Sequence, residues 1–147
     1  MRALIQRVSE ARVKVEGAVT GEIATGLCVF LGVRHDDTAA DVEKLVGKVT
    51  RLRVFPDQDG KMNLSVLDVG GDLLIVSQFT LYGDTRRGNR PSYSEAAEPV
   101  KAKQLYDAFV DASKKLCRRV ATGVFQAHME VSLTNSGPVT VMCYSNE

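Results

Sequence analysis

The sequence predicts an α+β domain spanning residues 1–147, in which mostly antiparallel strands are covered by two main helices. Two observations carry this. Segments of strict apolar/polar alternation open and close the chain, and two stretches with helical apolar spacing lie between them. The regular strand–helix–strand alternation of a doubly wound parallel sheet is missing, so a dinucleotide-binding unit is not expected.

The elements follow in order. Ala11, Val13 and Val15 alternate with Arg12, Lys14 and Glu16, the pattern of a half-buried strand, and Glu16-Gly17-Ala18-Val19 turns the chain. Leu27-Cys28-Val29-Phe30-Leu31-Gly32-Val33 is a continuous apolar run, suited to a strand buried on both faces. The first 33 residues are thus expected to form an antiparallel meander. Thr38 and Asp41 resemble a helix-capping pair. Val42, Leu45, Val46, Val49 and Leu52 then form one apolar stripe, with Glu43, Lys44, Lys48 and Arg51 facing outward. Phe55 to Gly60 and Val69 to Asp72 carry turn chemistry ahead of a short apolar strand, Leu73 to Val76. Pro99 fits the first turn of a second helix, whose buried face is expected to be Leu105, Phe109, Ala112 and Leu116. Two closing strands, Met129–Thr134 and Val139–Tyr144, are expected to be joined by a turn over Thr134-Asn135-Ser136-Gly137-Pro138.

Composition excludes several classes. The formal net charge is +1, with 44% hydrophobic and 25% charged residues, which fits neither a disordered chain nor a uniformly basic nucleic-acid coat. The apolar start is interrupted by Gln6 and Arg7, and the longest apolar run is far below the ~20 residues of a bilayer-spanning helix. A cytoplasmic protein without a membrane span is therefore expected. Three cysteines and two histidines at no ligand spacing point to reduced, buried thiols, and no metal or cofactor is expected.

Near-neutrality conceals a regional imbalance. Residues 1–83 carry net −1, residues 84–119 net +4 and residues 120–147 net −2. The positive residues are Arg86, Arg87, Arg90, Lys101, Lys103, Lys114, Lys115, Arg118 and Arg119, a set suited to a phosphate backbone or, alternatively, to a solvated helix face and polar loop. Next to them lies Ser77-Gln78-Phe79-Thr80-Leu81, at the end of the apolar strand. Polar side chains and backbone N–H groups at such an end can bind a carbonyl or oxyanion, although a strand that merely finishes in polar residues reads the same way. No nucleophile elbow, phosphate-binding Gly-Lys loop or zinc-protease motif is present. Asn135-Ser136-Gly137-Pro138-Val139-Thr140 reads as a turn. Were its Gly-Pro bond cis, the flanking carbonyls could form a main-chain wedge that sorts ligands by shape.

Taken together, these two segments resemble the paired motifs of the D-aminoacyl-tRNA deacylases. Leu4-Ile5-Gln6-Arg7-Val8, Gly60-Lys61-Met62-Asn63-Leu64, Arg90-Pro91-Ser92 and Thr122-Gly123-Val124-Phe125 match that family in order and spacing. The resemblance implies a barrel-like core and a homodimer that hydrolyses the ester between a D-amino acid, or glycine, and the tRNA 3′-adenosine. It implies that Gly137 and Pro138, with a cis bond, cross the dimer interface and reject L-amino acids. Ser77, Gln78 and Phe79 would line the ester site with Phe125 nearby, while Arg86, Arg87 and Arg90 would meet tRNA. Thr80 matches a residue once proposed as nucleophile, but no base adjoins it in sequence. Attack by water assisted by the RNA 2′-OH asks less of the side chains. The chain departs from the family at Ser136, where Asp is usual, and at Tyr93, where Phe is usual; His128 falls at a variable position outside the implied site. Two alternatives stay open, a noncatalytic RNA-binding module and a Ser/Thr hydrolase of small esters.

Overall fold

In a computed structural model, described over residues 1–146, the chain forms eight strands and two helices. The organising element is β1 (Arg2–Val15), a 14-residue strand that begins well before the alternating segment predicted from Ala11. β2 (Ala18–Ile23) and β3 (Gly26–Gly32) do not extend it as a meander. Both pair antiparallel with β1, β2 against its second half and β3 against its first. The physical reason is length, since one long strand offers two successive partners a full ladder of backbone groups.

β6 (Asp72–Ser77) runs parallel to β3, and β7 (Val120–Thr122) runs parallel to β6, so the sheet is mixed rather than purely antiparallel. On the other flank of β1 lies β8 (Glu130–Tyr144), antiparallel. A two-stranded ribbon, β4 (Phe55–Pro56) with β5 (Met62–Leu64), stands apart from the sheet. Its turn is organised by Asp57, whose carboxylate accepts from Asp59 N at 2.9 Å and Lys61 N at 3.0 Å.

The sheet curls until it nearly closes. Gly21 of β2 lies so close to β7 that a Cβ there would stand 2.2 Å from the Thr122 carbonyl oxygen. Curling gives β3 and β6 two apolar faces. Leu27, Val29, Leu31, Leu73 and Ile75 turn outward to a core shared with the helices, while Cys28, Leu74 and Val76 join Val8, Ala11, Val13 and Ile23 inside the curl. The continuous apolar runs of the sequence are therefore strands covered on both sides, as their composition predicts.

Helix α1 (Ala39–Thr50) buries Val42, Leu45, Val46 and Val49, and Thr38 N donates to Asp41 Oδ2 at 2.8 Å at its start. Helix α2 (Pro99–Leu116) begins with Glu98, whose carboxylate accepts from Val100 N and Lys101 N at 3.0 and 2.8 Å. Its buried stripe is Tyr106, Phe109, Val110 and Ser113, so the expected face is rotated. Leu105 and Ala112 are half-buried, and Leu116 is exposed because the chain leaves the helix there and turns Cys117 inward.

The largest departure from the sequence expectation is β8. The two predicted closing strands are one, and the predicted turn is an excursion within it. Val8 pairs with Asn135 and Gln6 with Thr140, so residues Ser136 to Val139 stand opposite Arg7 alone. Pairing with the long β1 outweighs the breaker character of Gly-Pro, because both flanks of the excursion find ladder partners.

Candidate active site

β6 rises from the fully buried Leu73-Leu74-Ile75-Val76 and surfaces at Ser77 and Gln78, both half-buried. Gln78 N donates to Leu31 O at 2.8 Å, the last tie to β3. The chain then bends into a short 3-10 turn, Phe79–Tyr82, closed by Leu81 N to Gln78 O and Gly83 N to Thr80 O at 3.3 and 3.0 Å. The N–H groups of Phe79 and Thr80 precede the first bond of this turn.

A cleft of about 680 Å3 opens at this strand end. Leu31, Val33 and Val76 lie at its base, and Ser77, Gln78 and Phe79 form one lip. Ala96, Ala97 and Ala102 form a wall of small side chains, and Phe125 to Met129 close the opposite side. That volume lies within the range of small-ligand sites. The alanine wall is fastened to β3, since Ala97 N donates to Val33 O at 2.9 Å and His35 N to Glu95 O at 3.1 Å. Phe79, 55% exposed, meets Tyr93 edge-to-face with centroids 5.1 Å apart. Phe125 is half-buried and stands 5.9 Å from the Tyr106 ring, whose hydroxyl donates to Ile75 O at 2.8 Å; burial pushes that phenol up to about 12.

Ser77, Gln78, Phe79 and Phe125 thus share one cleft. Thr80 does not line it. Its hydroxyl meets the Gln78 side-chain amide, a donor rather than a base, and has no other polar partner among the described residues. Sequence reasoning missed His128 and Met129, and weighed Tyr93 only as packing; the first two line the cleft where the chain turns into β8, and Tyr93 packs on its lip. Their signal was weak, because the segments meet only through the parallel placement of β6 and β7. Gln126, at φ 64°, sits at the tip of that turn.

Gly137 and Pro138 are exposed and lie outside their own chain's cleft. The bond between them is cis. The excursion is held in one shape. Arg7 Nε donates to Ser136 O at 3.1 Å and its NH1 to Val54 O at 2.6 Å, while Val139 N donates to Asn135 Oδ1 at 3.2 Å and Asn135 Nδ2 to Thr140 Oγ1 at 3.0 Å.

The basic residues divide into two places. Arg86, Arg87 and Arg90 lie on an exposed loop near the cleft, pinched shut where Asp84 and Ser92 exchange backbone bonds of 2.8 and 2.9 Å. Arg86 grips Asp84 at 2.7 Å and holds that carboxyl down at about 2, so much of its charge is spent within the loop. Arg87 and Arg90 have no such partner among the described residues. Arg118 instead pairs at 3.2 Å with Asp72, at the start of β6, and Arg119 donates to Glu22 O at 2.9 Å. The run of β6 separates that end from Ser77 by roughly 17 Å, so the single positive region expected beside the strand end is corrected to two separate groups.

The fold and cleft define a barrel-like α+β protein with an open cleft at a strand end. The chain belongs to the D-Tyr-tRNA(Tyr) deacylase family, whose model matches residues 4–144. It is 57% identical over 147 residues to a D-aminoacyl-tRNA deacylase of Thermosipho africanus and 53% identical to one of Aquifex aeolicus. Each match covers the whole chain and 99% of the relative. A solved structure titled "c-Myc DNA Unwinding Element Binding Protein" superimposes with a TM-score of 0.95 at 38% identity, covering both chains fully. Another, of a probable eukaryotic D-amino acid tRNA deacylase, superimposes at 0.85 over 97% of each chain; at 17% identity it speaks for the fold alone. Among the described residues no helix is long and apolar enough to cross a membrane, and Cys28, Cys117 and Cys143 are free and buried.

Proposed function

We propose that this protein hydrolyses the ester of D-aminoacyl-tRNA, releasing D-amino acid and tRNA, and spares L-aminoacyl-tRNA through Gly137-Pro138 of a second subunit. The chain is an aminoacyl ester hydrolase by family; the finer reading concerns substrate handling. The observation that carries it is complementarity within one chain. An open cleft is lined by Ser77, Gln78, Phe79 and Phe125, and the braced, exposed Gly137-Pro138 excursion lies outside it. A homodimer in which each excursion enters the other's cleft satisfies both, with main-chain oxygens meeting the side chain of an L-amino acid.

Chemistry in the cleft is then mostly positioning. Thr80, facing an amide donor and no base, is not the nucleophile. Water attacks the ester carbonyl with help from the RNA 2′-OH, and the backbone N–H of Phe79, on the cleft lip, stabilises the developing oxyanion, a contribution of about 2.7–4 kcal/mol for such a donor in comparable sites. The ester carbon–oxygen bond then breaks, and the tRNA 3′-oxygen takes a proton. Arg87 and Arg90 draw in the phosphate backbone. Glycyl-tRNA, lacking a side chain, would pass the same filter. Three reduced thiols suit a cytoplasmic site of action.

The nucleic-acid-binding title of the structure at TM-score 0.95 gives weight to a second reading, a module that binds without cleaving. Incubating the protein with D-Tyr-tRNA at two salt concentrations separates the two. Release of D-tyrosine that slows with salt at sub-saturating tRNA supports the deacylase. Salt-sensitive binding with no release supports the module.

A further inference from the structure

We infer that Arg2 is a positioning residue for the cleft, fixing the 3-10 turn Phe79–Tyr82 from behind. The inference rests on the deacylase reading for its kinetic consequence only. The turn needs such help. It is four residues long, with the bonds from Leu81 N and Gly83 N closing it, and its closing carbonyls have no partner within so short an element. It also bears the exposed Phe79 and leads straight into the arginine loop.

Arg2 supplies the missing partner. Its NH1 donates to Leu81 O at 3.2 Å, placing a cation at the negative end of the turn. The guanidinium lies 4.2 Å from the Tyr82 ring centroid and 5.5 Å from that of Tyr144, so two aromatic rings, one on the turn and one on β8, hold its plane. Arg2 stands opposite Gly32 in the β1–β3 register. At Gly32 a Cβ would come within 3.2 Å of Gln78 O, Leu81 Cβ and Tyr82 Cε2, so the turn is seated directly on that backbone. One cross-strand pair therefore holds the turn twice, by contact at Gly32 and by a charge-assisted hydrogen bond from Arg2. Sequence alone shows only an arginine in an interrupted apolar start, ahead of the strand predicted from Ala11.

The test compares Arg2→Met, Arg2→Lys and, as a control on the same strand away from the turn, Arg12→Met. Two readouts are taken, kcat and KM on D-Tyr-tRNA and amide hydrogen exchange along the chain. Arg2→Met is expected to lower kcat about tenfold or more, the scale of a sub-ångström misplacement, with KM changing little. Exchange should quicken about tenfold at Leu81 and Gly83 but not at Val29 or Ile75. Arg2→Lys, keeping charge but not the stacked plane, should recover part of both, and Arg12→Met should match the wild type. Unchanged exchange at Leu81 and Gly83 in Arg2→Met overturns the inference, as does equal acceleration across the sheet, which marks a general stability role. If kcat alone is unchanged while the turn loosens, Arg2 holds the turn but does not position the site, and the inference fails in its functional half. A wild type that releases no D-tyrosine overturns the deacylase reading instead, and exchange still decides the anchoring.

Discussion

Gly137→Ala is the substitution that most sharply separates the excursion's shape from the stability of the fold. Gly137 has φ +128°, a region in which an L side chain is strained, and a Cβ there would lie 2.9 Å from Arg7 NH2 and 3.0 Å from Val139 Cγ2. Strain of this kind costs about 1–3 kcal/mol. Arg7, the brace on Ser136 O, would have to give way. At about 2 kcal/mol the native shape of the excursion would be depleted roughly 30-fold relative to relaxed shapes. Because the excursion is exposed, relaxation caps the loss to the whole fold at about the same 2 kcal/mol, or roughly 4–8 °C in Tm for a chain of this size. The assay pairs thermal unfolding with initial rates on D-Tyr-tRNA and L-Tyr-tRNA. The expected result is a folded protein that still releases D-tyrosine and whose preference for D over L has fallen at least tenfold. A folded variant with wild-type preference refutes the assignment of chiral rejection to this excursion.

Four further outcomes follow from the same geometry. Thr80→Ala should keep most D-Tyr-tRNA deacylation, since the lost hydroxyl contacts only the Gln78 amide; a fall of a hundredfold or more in kcat would make Thr80 catalytic after all. Arg87→Ala and Arg90→Ala should each weaken tRNA binding and reduce the slope of log affinity against log salt by about one, whereas Lys114→Ala, on the far part of α2, should leave the slope unchanged in filter binding or fluorescence titration. Asp37→Ala should destabilise the protein by about 3–5 kcal/mol in urea unfolding, because Asp37 accepts from the buried Met1 ammonium at 2.5 Å and its loss leaves that charge without a carboxylate, held only by the Ser145 hydroxyl at 2.9 Å among the described residues. The Asp84 carboxyl, lowered from 3.8 to about 2 by Arg86, makes its contribution to the loop fully above pH 3.8 and loses it as pH falls through about 2. NMR titration should therefore show the Asp84–Arg86 pair intact at pH 3, and a midpoint near 3.8 would contradict the pairing.

What the sequence reveals divides by range of interaction. The α1 stripe and its Thr38–Asp41 cap are local, and the burial on both faces of β3 and β6 is written in their unbroken apolar runs. The single strand β8 was not legible, because Gly137-Pro138 carries the local signature of a turn and only pairing with β1 on both flanks reveals an excursion. The strand end at Ser77–Phe79 was visible as a change from apolar to polar. His128 and Met129 were not, since they reach the cleft from a separate segment. The basic residues misled for the same reason. Arg90 and Arg118 lie 28 positions apart with the whole of α2 between them, and only the direction of β6 shows that they serve different ends.

In the proposed reaction one cleft cleaves the ester and a rigid main-chain wedge decides its handedness. Initial rates of the unaltered protein on D-Tyr-tRNA and L-Tyr-tRNA, prepared on the same tRNA at equal sub-saturating concentration, test it most directly. D-tyrosine should be released about a hundredfold faster than L-tyrosine or more, a difference of about 2.7 kcal/mol in the transition state. Equal rates on the two esters, or release of neither, would contradict it.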